Sequence, residues 1–556
     1  MFFKDGKLNT SLYKVLLFIH IANGIKSGAL NLLYSYRYKA IQHYLIDKKT
    51  WGSKRQDLLI AAGLEEFMDI ETVLPALEKK LNTQYKTVNE RFLANENPYL
   101  IIDDKGHFIV QTPKTDSSEE KYASTLLNQT GYIPIVKVLS DINHVTQFTA
   151  SFKHHSIKHS KMKPQHEMIF AGVVGKGRNM DLNLLANSSI GIKAESLNNI
   201  VNWHFSLKNI QAANNRVTRL INKLHLSTAF QYKPGQLHTS SDGRKVTVAV
   251  DSILASHSYK YFGKEKGVTI YMFIDERQIL FYSTVISASE REAAYVIDGL
   301  LHNDVIKSDL HSTDMHGFTE IIFAVTHFIS TLYAPRLKNI SKQKLYGFTG
   351  RKTYKRMNYK ILPSRGIHRK LLEENWDTTL RFMATIKLKY TPASQLLKRL
   401  SSYTKEHPLY KALKEFGRII KSLFILMYLD DVELRQRIEK QLNKIEFANR
   451  FSKAIIGDNK QEYEVGEKED LEIIAGCNIL IQNCVNLWNY LYLSQLIANN
   501  ADPEEQKKMF ESIAKGSSCN WRHINFQGEF DFFKYSDAAN QNTFDMEKIL
   551  AFKIAA

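Results

Sequence analysis

Three acidic residues stand where their carboxylates could converge on a divalent metal ion. Asp314 ends the predicted strand Val305–Thr313, and Glu446 lies on a predicted helix at the edge of its buried face, where we expect it to point toward the protein body. Hard cations such as Mg²⁺ prefer carboxylate oxygens, and two-metal phosphoryl transfer needs acids from separate elements. The first acid is ambiguous, because Asp251 ends a strand-like run whereas Asp242 falls in a predicted turn, and the pattern slightly favours Asp251. A buried salt bridge or a capping role is the competing interpretation of each acid.

The elements that would hold these acids follow the order strand, strand, helix, strand. Val268–Ile274 and Ile279–Ile286 are rich in β-branched and aromatic residues, and the polar residues Asp275–Gln278 between them are typical of a hairpin turn. A helical face follows from Ala293 to Leu301, and the chain then returns as the strand before Asp314. This order predicts an α/β RNase H-like core with an acid at the carboxyl end of a strand, where open sheets bind ligands.

The predicted elements divide the chain into four segments. Residues 1–150 are a helical domain, residues 151–235 a basic linker with a helical segment, and residues 457–556 a helical C-terminal domain. Residues 236–456 form the RNase H-like catalytic domain, with an insertion at about 340–410. We therefore expect an α/β catalytic core with an insertion, flanked by largely α-helical domains.

Helical periodicity extends over long stretches outside this core. The predicted helices include residues 10–95 with a break at Lys48–Ser53, Leu413–Tyr428, Val432–Ile456 and Leu471–Ile497. The last is apolar nearly all round, which predicts a buried core helix. Near the N-terminus, Val15–Ile19 imitates a signal peptide but is short, so a buried amphipathic helix is the better interpretation. We expect no apolar run long enough to span a membrane.

The charge balance favours a polyanionic partner. The chain carries 75 Lys and Arg residues against 57 Asp and Glu, a formal charge of +18, and such an excess is most often associated with nucleic acid. Between Thr349 and Lys370 there are eight Lys or Arg residues and no acid, with Tyr354 and Tyr359 interleaved. That composition suits phosphate contacts together with base or sugar packing. A solvated basic loop is the alternative.

Two weaker patterns have simpler structural explanations. His155 and His159, four residues apart, could ligate a metal on a helix, but their basic segment lacks a nearby Cys or acid, which favours a solvated loop. Gly172, Gly175 and Gly177 suggest a phosphate loop, but the required lysine and hydroxyl are missing.

The cysteines form no disulfide framework. Cys477 and Cys484 are seven residues apart in a predicted helix, about 10 Å at helical rise and too far to bridge, and Cys519 is the third. This usage suits a reducing cytoplasm.

Several long motifs occur along the chain in a fixed order. They are FKDGKLNTSLYK at 3–14, HTSSDG at 238–243, KYFGKEKGVTIY at 260–271, FYSTVISASEREAAYVIDGLL at 281–301, HSTDMHGFTE at 311–320, YAPR at 333–336, NKIEFANR at 443–450, LWNYLYL at 487–493 and WRHINFQGEF at 521–530. In these motifs the chain closely resembles the transposases of the Tn-three (class II, replicative) transposon family. The resemblance spans essentially the whole chain.

This resemblance implies a set of catalytic, metal-binding acids. In the family they are the Asp of HTSSDG, the Asp of STD-x-x-G and the Glu of NK-x-E-x-x-N, which are Asp242, Asp314 and Glu446 in this sequence. The resemblance therefore selects Asp242 over Asp251. The long spacing between the second and third acids implies an insertion that contains the basic segment. Ile445 departs from the family, which usually has Gly there, and could shift the neighbouring carboxylate slightly.

The function that the resemblance implies is that of a DDE transposase. Mg²⁺, for which Mn²⁺ can substitute, would activate water for cleavage at the transposon end, and the released 3′-hydroxyl would attack target DNA at the same site. The expected partners are transposon-end and target DNA and a second copy of the chain, with no membrane, in the bacterial cytoplasm at the nucleoid. The expected phosphate contacts are Arg336, Arg351, Lys352, Lys355, Arg356 and Arg450. The alternative interpretation of Arg336 and Arg450 is that they are charged residues on a helix surface without a DNA contact.

The position of the first motif leads to a further expectation. Family members carry several hundred residues ahead of FKDGKLNTSLYK, including the modules that recognise terminal inverted repeats, whereas Met1 lies almost directly on that motif. The resemblance thus predicts a C-terminal catalytic portion whose N-terminal DNA-binding region is missing and which could be inactive alone. The alternative function is a truncated, non-catalytic DNA-binding or dimerising remnant. A host RNase H-like nuclease would leave the motifs outside the core unexplained.

Overall fold

The computed structural model of the chain describes residues 3–4, 7–27, 30–35, 38–103, 107–113, 122–157, 163–303, 305–314, 319–402, 407–457, 462–535 and 543–554. The helices are α1 Thr10–Ser27, α2 Lys48–Ala61, α3 Ile70–Leu93, α4 Tyr122–Asn128, α5 Ile135–Thr146, α6 His166–Gly177, α7 Leu182–Asn187, α8 Ala194–His204, α9 Leu207–Lys223, α10 Tyr259–Phe262, α11 Ala293–Leu301, α12 Glu320–Phe328, α13 Arg351–Arg356, α14 Arg369–Lys387, α15 Ala393–Ser402, α16 Pro408–Asp430, α17 Val432–Ile456, α18 Lys468–Asn499, α19 Pro503–Lys515 and α20 Met546–Ala551. The strands are β1 Phe3–Lys4, β2 Lys7–Leu8, β3 Leu100–Ile102, β4 Phe108–Val110, β5 Ile133–Pro134, β6 Ser189–Ile190, β7 His238–Thr247, β8 Ser256–His257, β9 Lys266–Asp275, β10 Leu280–Ser287, β11 Leu310–Thr313, β12 Leu332–Tyr333, β13 Tyr346–Gly347, β14 Arg365–Gly366, β15 Ile524–Asn525 and β16 Phe530–Asp531.

The chain folds into two compact units, each assembled from separate stretches of sequence. The first unit contains Met1–Pro113, Arg291–Leu301 and Asp314–Arg437, and the second contains Lys114–Glu290, His302–Thr313 and Ile438–Ala556. The fold is a mixture of helices and sheet, as predicted, and the long strands lie in the second unit. The predicted division into four segments stays a prediction.

The sheet of the second unit is built around β7. Its strands lie in the order β10–β9–β7–β11, and β8 pairs with the first two residues of β9. β7 is antiparallel to β9 and parallel to β11, and β9 is antiparallel to β10. The predicted hairpin is confirmed as β9 and β10, whereas the strand predicted over Val305–Thr313 is confined to Leu310–Thr313.

The turn between β9 and β10 is polar, as predicted, but buried. Asp275 is 0% exposed and Arg277 is 8% exposed. The guanidinium of Arg277 donates to the Asp275 carboxylate over 2.6 and 2.8 Å, and Ile279 N–H donates to the same carboxylate over 2.9 Å. This ion pair lets a charged turn lie inside the protein, because each buried group has a hydrogen-bonded partner.

The central helix of the second unit is α18. It packs against α5, α6, α9 and β10, and the predicted core helix is confirmed. Its amides tie it to neighbouring backbone: Asn483 donates to Leu280 O over 2.7 Å, and Asn486 donates to Gln278 O over 3.0 Å. Contrary to our expectation, this helix is long and apolar enough to cross a membrane by length and composition, but 89% of its most apolar window is buried within the protein.

The first unit is a helical assembly with an aromatic core. α16 packs against α3, α12 and α14, and Phe328 stacks on Phe416 with ring centroids 4.9 Å apart. Gly417 lies so close to the Glu320 carbonyl that a Cβ there would overlap it. The side-chain-free surface of this glycine therefore lets α12 and α16 approach closely.

Two sequence predictions in the first unit need correction. The expected break at Lys48–Ser53 is the start of α2, because the Asp47 side chain accepts a hydrogen bond from Thr50 N–H and caps that helix, and the helix is kinked just beyond this range, at Lys54. The expected helix near the N-terminus exists as α1, but it is exposed rather than buried, with Phe18 at 66%. Its apolar residues follow one another along the chain and so form no single face that could be buried.

The cysteine prediction is confirmed. Cys477, Cys484 and Cys519 are free and buried. Burial raises the pKa of Cys477 to about 12 and raises the pKa of the other two further, so these thiols are packed as apolar groups.

Candidate active site

The segment HTSSDG lies in the buried central strand β7, which corrects its prediction as a turn. Successive side chains of a strand point to opposite faces, so Thr239 and Ser241 share one face, while Ser240 and Asp242 share the other. Tertiary partners satisfy the hydroxyl groups on both faces, and a run of small polar residues therefore fits inside the sheet.

On one face, His311 of β11 bridges two hydroxyl groups of β7. Its Nδ1 lies 2.8 Å from Thr239 Oγ1, and its Nε2 lies 2.9 Å from Ser241 Oγ. Ser241 Oγ also lies 2.6 Å from the Tyr271 hydroxyl of β9. Burial lowers the pKa of His311 to about 3, so the imidazole is neutral at pH 7 and links three strands as an uncharged hydrogen-bonding group.

This network fixes the register of the parallel pair. Ser241 on β7 is paired with Thr313 on β11. Asp242 follows Ser241, and Asp314 follows Thr313. The two predicted acids are therefore the residues that directly follow the two members of this one pair.

On the other face of β7, helix α17 supplies polar contacts. Gln441 Nε2 donates to Ser240 Oγ over 3.2 Å and to Ile274 O over 3.3 Å. Two turns later, Asn449 Nδ2 donates to Asp242 Oδ2 over 3.1 Å. The helix thus runs along β7 and contacts the carboxylate of Asp242 directly.

Glu446 lies one turn before Asn449 on this helix, but its side chain is exposed. The expectation that it points toward the protein body is therefore wrong. Ile445 is fully buried, and the next residue of a helix is rotated by about 100° from it, which turns Glu446 outward. The i, i+3 spacing nevertheless puts Glu446 on the side of α17 that reaches Asp242.

Asp314 has basic partners within the first unit. Its Oδ1 lies 3.1 Å from Arg336 Nη2, and its Oδ2 lies 3.6 Å from Lys338 Nζ. Arg336, expected to contact DNA, is thus an ion-pair partner of a predicted catalytic acid. Lys338 was not predicted, although it lies two residues beyond the YAPR motif.

Asp251 has a different environment. Its side chain is 98% exposed and pairs with Lys266 over 2.8 Å, and this hydrogen bond and charge lower its pKa. The loop that follows β7 carries it, nine residues beyond Asp242.

The donor chemistry of the three predicted acids fits a hard divalent ion, since all would contribute carboxylate oxygens. In the described part of the chain no group of three or more His, Cys, Asp or Glu side chains is positioned to hold a metal ion. Asp242 is engaged by Asn449, and Asp314 by Arg336 and Lys338.

A family model decides the identity of this fold. Residues 137–530, more than half of the chain, match the Tn3 transposase DDE domain. The chain belongs to this family. Three relatives of similar sequence are the transposase for transposon Tn1546 of Enterococcus faecium (28% identical), that for Tn2501 of Escherichia coli (27%) and that for Tn501 of Pseudomonas aeruginosa (27%). The matches cover 94–95% of this chain and 52% of each relative, so the chain spans about half their length.

The basic segment of this Tn3-family chain contains a short helix. Arg351–Arg356 form helix α13, and Arg351, Lys352, Lys355 and Arg356 are exposed. Tyr354 corrects our interpretation, because it is 3% exposed and donates its hydroxyl to Asn82 over 2.6 Å. It holds the helix in place, and its ring is not available to a base.

Other basic residues of this segment serve the fold. Arg365 pairs with the buried carboxylate of Glu415 over 2.8 Å, and Arg369 pairs with Glu78. Arg450, in the second unit, is exposed and its guanidinium lies 5.3 Å from the Phe447 ring.

The histidine pair and the glycine cluster noted in the sequence have packing roles in the described part of the chain. His155 stacks on Trp203 with ring centroids 5.3 Å apart, whereas His159 lies outside the described residues. Gly172, Gly175 and Gly177 lie in α6, where a Cβ on each would meet packed side chains or backbone. Close helix packing therefore explains these glycines.

Proposed function

We propose that this chain is a DDE transposase domain that cleaves transposon ends and joins them to target DNA in replicative transposition, with Asp242, Asp314 and Glu446 as its catalytic, metal-binding acids. Membership of the Tn3 transposase DDE-domain family carries the proposal. The motifs that place these acids support it, together with the pairing of Ser241 with Thr313 that precedes two of them.

The sheet of the second unit supports an RNase H-like core. Its strands β7, β9 and β10 form an antiparallel meander, and β11 adds in parallel to β7 on the other side. The first acid lies on the central strand, and the second follows the adjacent parallel strand. The predicted order of strands includes β9, β10 and β11, whereas the part of β7 that carries the first acid was predicted as a turn.

The residues around the acids have distinct roles in this proposal. Asn449 orients the carboxylate of Asp242 from α17. Arg336 and Lys338 hold the carboxylate of Asp314 and put two positive charges beside it, where a DNA phosphate is an alternative partner for both. His311 keeps the strands in register without adding charge.

Mg²⁺ or Mn²⁺ bound by Asp242, Asp314 and Glu446 would lower the pKa of a bound water and stabilise the attacking and leaving oxygens. In this proposal Asp314 exchanges Arg336 and Lys338 for the metal ion, and DNA phosphates become the partners of the two basic residues. We further propose that the chain acts as a homodimer on transposon-end and target DNA, in the bacterial cytoplasm at the nucleoid.

The alternative is a DNA-binding or dimerising remnant without catalysis. The exposed outward direction of Glu446 and the presence of Ile445 in place of Gly favour it. A strand-joining assay separates the two functions, because a remnant would bind DNA but join none.

The test uses the 556-residue chain with a pre-cut transposon end, a target duplex and Mg²⁺. Asp242→Asn, Asp314→Asn and Glu446→Gln should each reduce joining at least about a hundredfold and leave DNA affinity largely intact, since a triad acts as a unit. Asp251→Asn is the matched control and should join at the wild-type rate. A wild-type chain that binds the DNA without joining it supports the remnant. Loss of joining in Asp251→Asn alone overturns the site.

A further inference from the structure

Beyond β7 the chain makes an excursion that ends in a short helical turn, α10, with two outward tyrosines. Tyr259 is 87% exposed and Tyr261 is 49% exposed. The last three residues of this turn are the first three of the KYFGKEKG motif at 260–267, which has no role in the proposed chemistry. It precedes β9, which pairs with β7 along its length.

The turn is held firmly although its tyrosines face outward. Phe262 is 8% exposed and packs against Gly267, where a Cβ would overlap the ring. β8 pairs with the start of β9 through Ser256↔Gly267 and His257↔Lys266. The Tyr259 ring is therefore presented on a fixed support, so little conformational freedom is lost when a ligand binds it.

The surroundings of the second tyrosine are cationic. Lys245 Nζ lies 5.3 Å and Lys260 Nζ 5.0 Å from the centroid of the Tyr261 ring. From Arg244 to Lys266 the sequence contains five Lys or Arg residues and two acids, Asp251 and Glu265. Cation–π contacts thus hold two ammonium groups beside an exposed aromatic ring, which combines a charge for phosphate with a flat face for a base.

We infer that this turn binds unpaired nucleotides of the DNA on which the domain acts, with Tyr259 stacking on a base and Lys245 and Lys260 contacting the backbone. The inference rests on the proposed function. The bases of a duplex stack on one another and expose only their edges in the grooves, so an aromatic face stacks on an unpaired or terminal base. Lys245 lies on β7 three residues beyond Asp242, about 10 Å along the strand and on the opposite face of the sheet, so the contact lies on DNA strands that flank the joined end.

The binding test uses the full chain and two DNA probes of equal length, one fully paired and one forked with unpaired flanking strands. Tyr259→Ala should weaken binding to the fork about tenfold, equivalent to about 1.4 kcal/mol, with little change on the duplex. Tyr132→Ala is the matched control, because Tyr132 is 83% exposed in the same unit; it should leave both affinities unchanged. 2-Aminopurine in the unpaired strand should be quenched by the wild type and Tyr259→Phe but not by Tyr259→Ala.

The lysines give a second, independent readout. Lys260→Ala should lower the slope of log affinity against log salt on the forked probe by about 0.7, whereas Tyr259→Ala should leave that slope unchanged because stacking releases no counterions. Unchanged fork affinity in Tyr259→Ala overturns the inference. So does an equal loss on both probes, or a change of oligomeric state at constant DNA affinity, which would assign the turn to a protein interface.

Failure of this inference is distinguishable from failure of the proposed function. Asp242→Asn should abolish joining and keep the preference for the fork, since it removes no contact of the turn. If the wild-type chain joins DNA while Tyr259→Ala binds the fork normally, only the inference is wrong. If the wild-type chain binds neither probe, both are wrong.

Discussion

The buried imidazole of His311 makes the stability of the β7–β11 pair depend on pH. Its pKa is about 3 in the folded chain and about 6.5 in an unfolded one. Between these values the unfolded chain binds a proton that the folded chain excludes, so the free energy of unfolding falls as the pH falls. The loss begins near pH 6.5, amounts to about 2 kcal/mol at pH 5 and approaches about 5 kcal/mol near pH 3.

The substitution His311→Gln isolates this contribution. Glutamine keeps hydrogen-bonding groups near Thr239 and Ser241 but does not titrate, so other buried histidines affect both proteins equally. In urea denaturation the wild type should be more stable than His311→Gln at pH 7, and that advantage should shrink by about 2 kcal/mol at pH 5. His257→Gln is the control, because His257 is exposed in the same unit.

The reasoning is refuted if the advantage of the wild type over His311→Gln is the same at both pH values. An NMR titration measures the group directly. The ring signal of His311 in ¹³C-histidine-labelled chain should stay flat from pH 7.5 to 5, whereas a midpoint near 6.5 would mean that the imidazole is not enclosed as described.

Three further predictions concern packing and charge. Asp275→Ala should lower the free energy of unfolding by about 3–5 kcal/mol, because it leaves the guanidinium of Arg277 buried without its partner; urea denaturation measures it, and a loss below 1 kcal/mol would mean that water reaches the turn. Gly417→Ala should destabilise by about 1–3 kcal/mol or more through overlap with α12, whereas Gly52→Ala, on an exposed face of α2 with nothing within 4 Å, should stabilise by about 0.5–1 kcal/mol; thermal melting should shift in opposite directions. Four exposed cations of α13 can be replaced together by Ala: Arg351, Lys352, Lys355 and Arg356. The slope of log affinity for duplex DNA against log salt should then become shallower by about 0.9 for each phosphate contact that is lost. An unchanged slope would mean that these side chains are only solvated.

Local sequence was sufficient where an element's own periodicity decides its structure. The helix predicted over Val432–Ile456 has those bounds in α17, and the apolar stretch Leu471–Ile497 is the buried α18. The hairpin was found because β-branched and aromatic residues dominate both of its strands. In each case the elements are long enough for the pattern to outweigh single exceptions.

Sequence reasoning failed where partners distant in the chain decide the structure. HTSSDG has the composition of a turn, yet His311 and Tyr271 satisfy its hydroxyls within a sheet. Charged residues between β9 and β10 are buried because Asp275 and Arg277 neutralise each other. Neither relation is visible in a local window.

The choice of the first candidate acid depended on a family motif rather than on pattern. Periodicity alone favoured Asp251, which the structure puts on an exposed loop paired with Lys266. It also put Glu446 on the edge of a buried stripe that includes Ile445; Ile445 is buried as expected, but Glu446 is exposed. The contact of Asn449 with Asp242 was signalled only by the second Asn of the NK-x-E-x-x-N motif, to which no role had been given.

Counting bound Mn²⁺ tests most directly whether Asp242, Asp314 and Glu446 form one metal site. Electron paramagnetic resonance would follow a Mn²⁺ titration of the full chain in the presence of a pre-cut DNA end. The wild type and Asp251→Asn should bind two ions per chain, as expected for two-metal strand transfer, and Asp242→Asn, Asp314→Asn and Glu446→Gln should each lose at least one. Equal stoichiometry in all five proteins, or a loss confined to Asp251→Asn, would contradict the assignment.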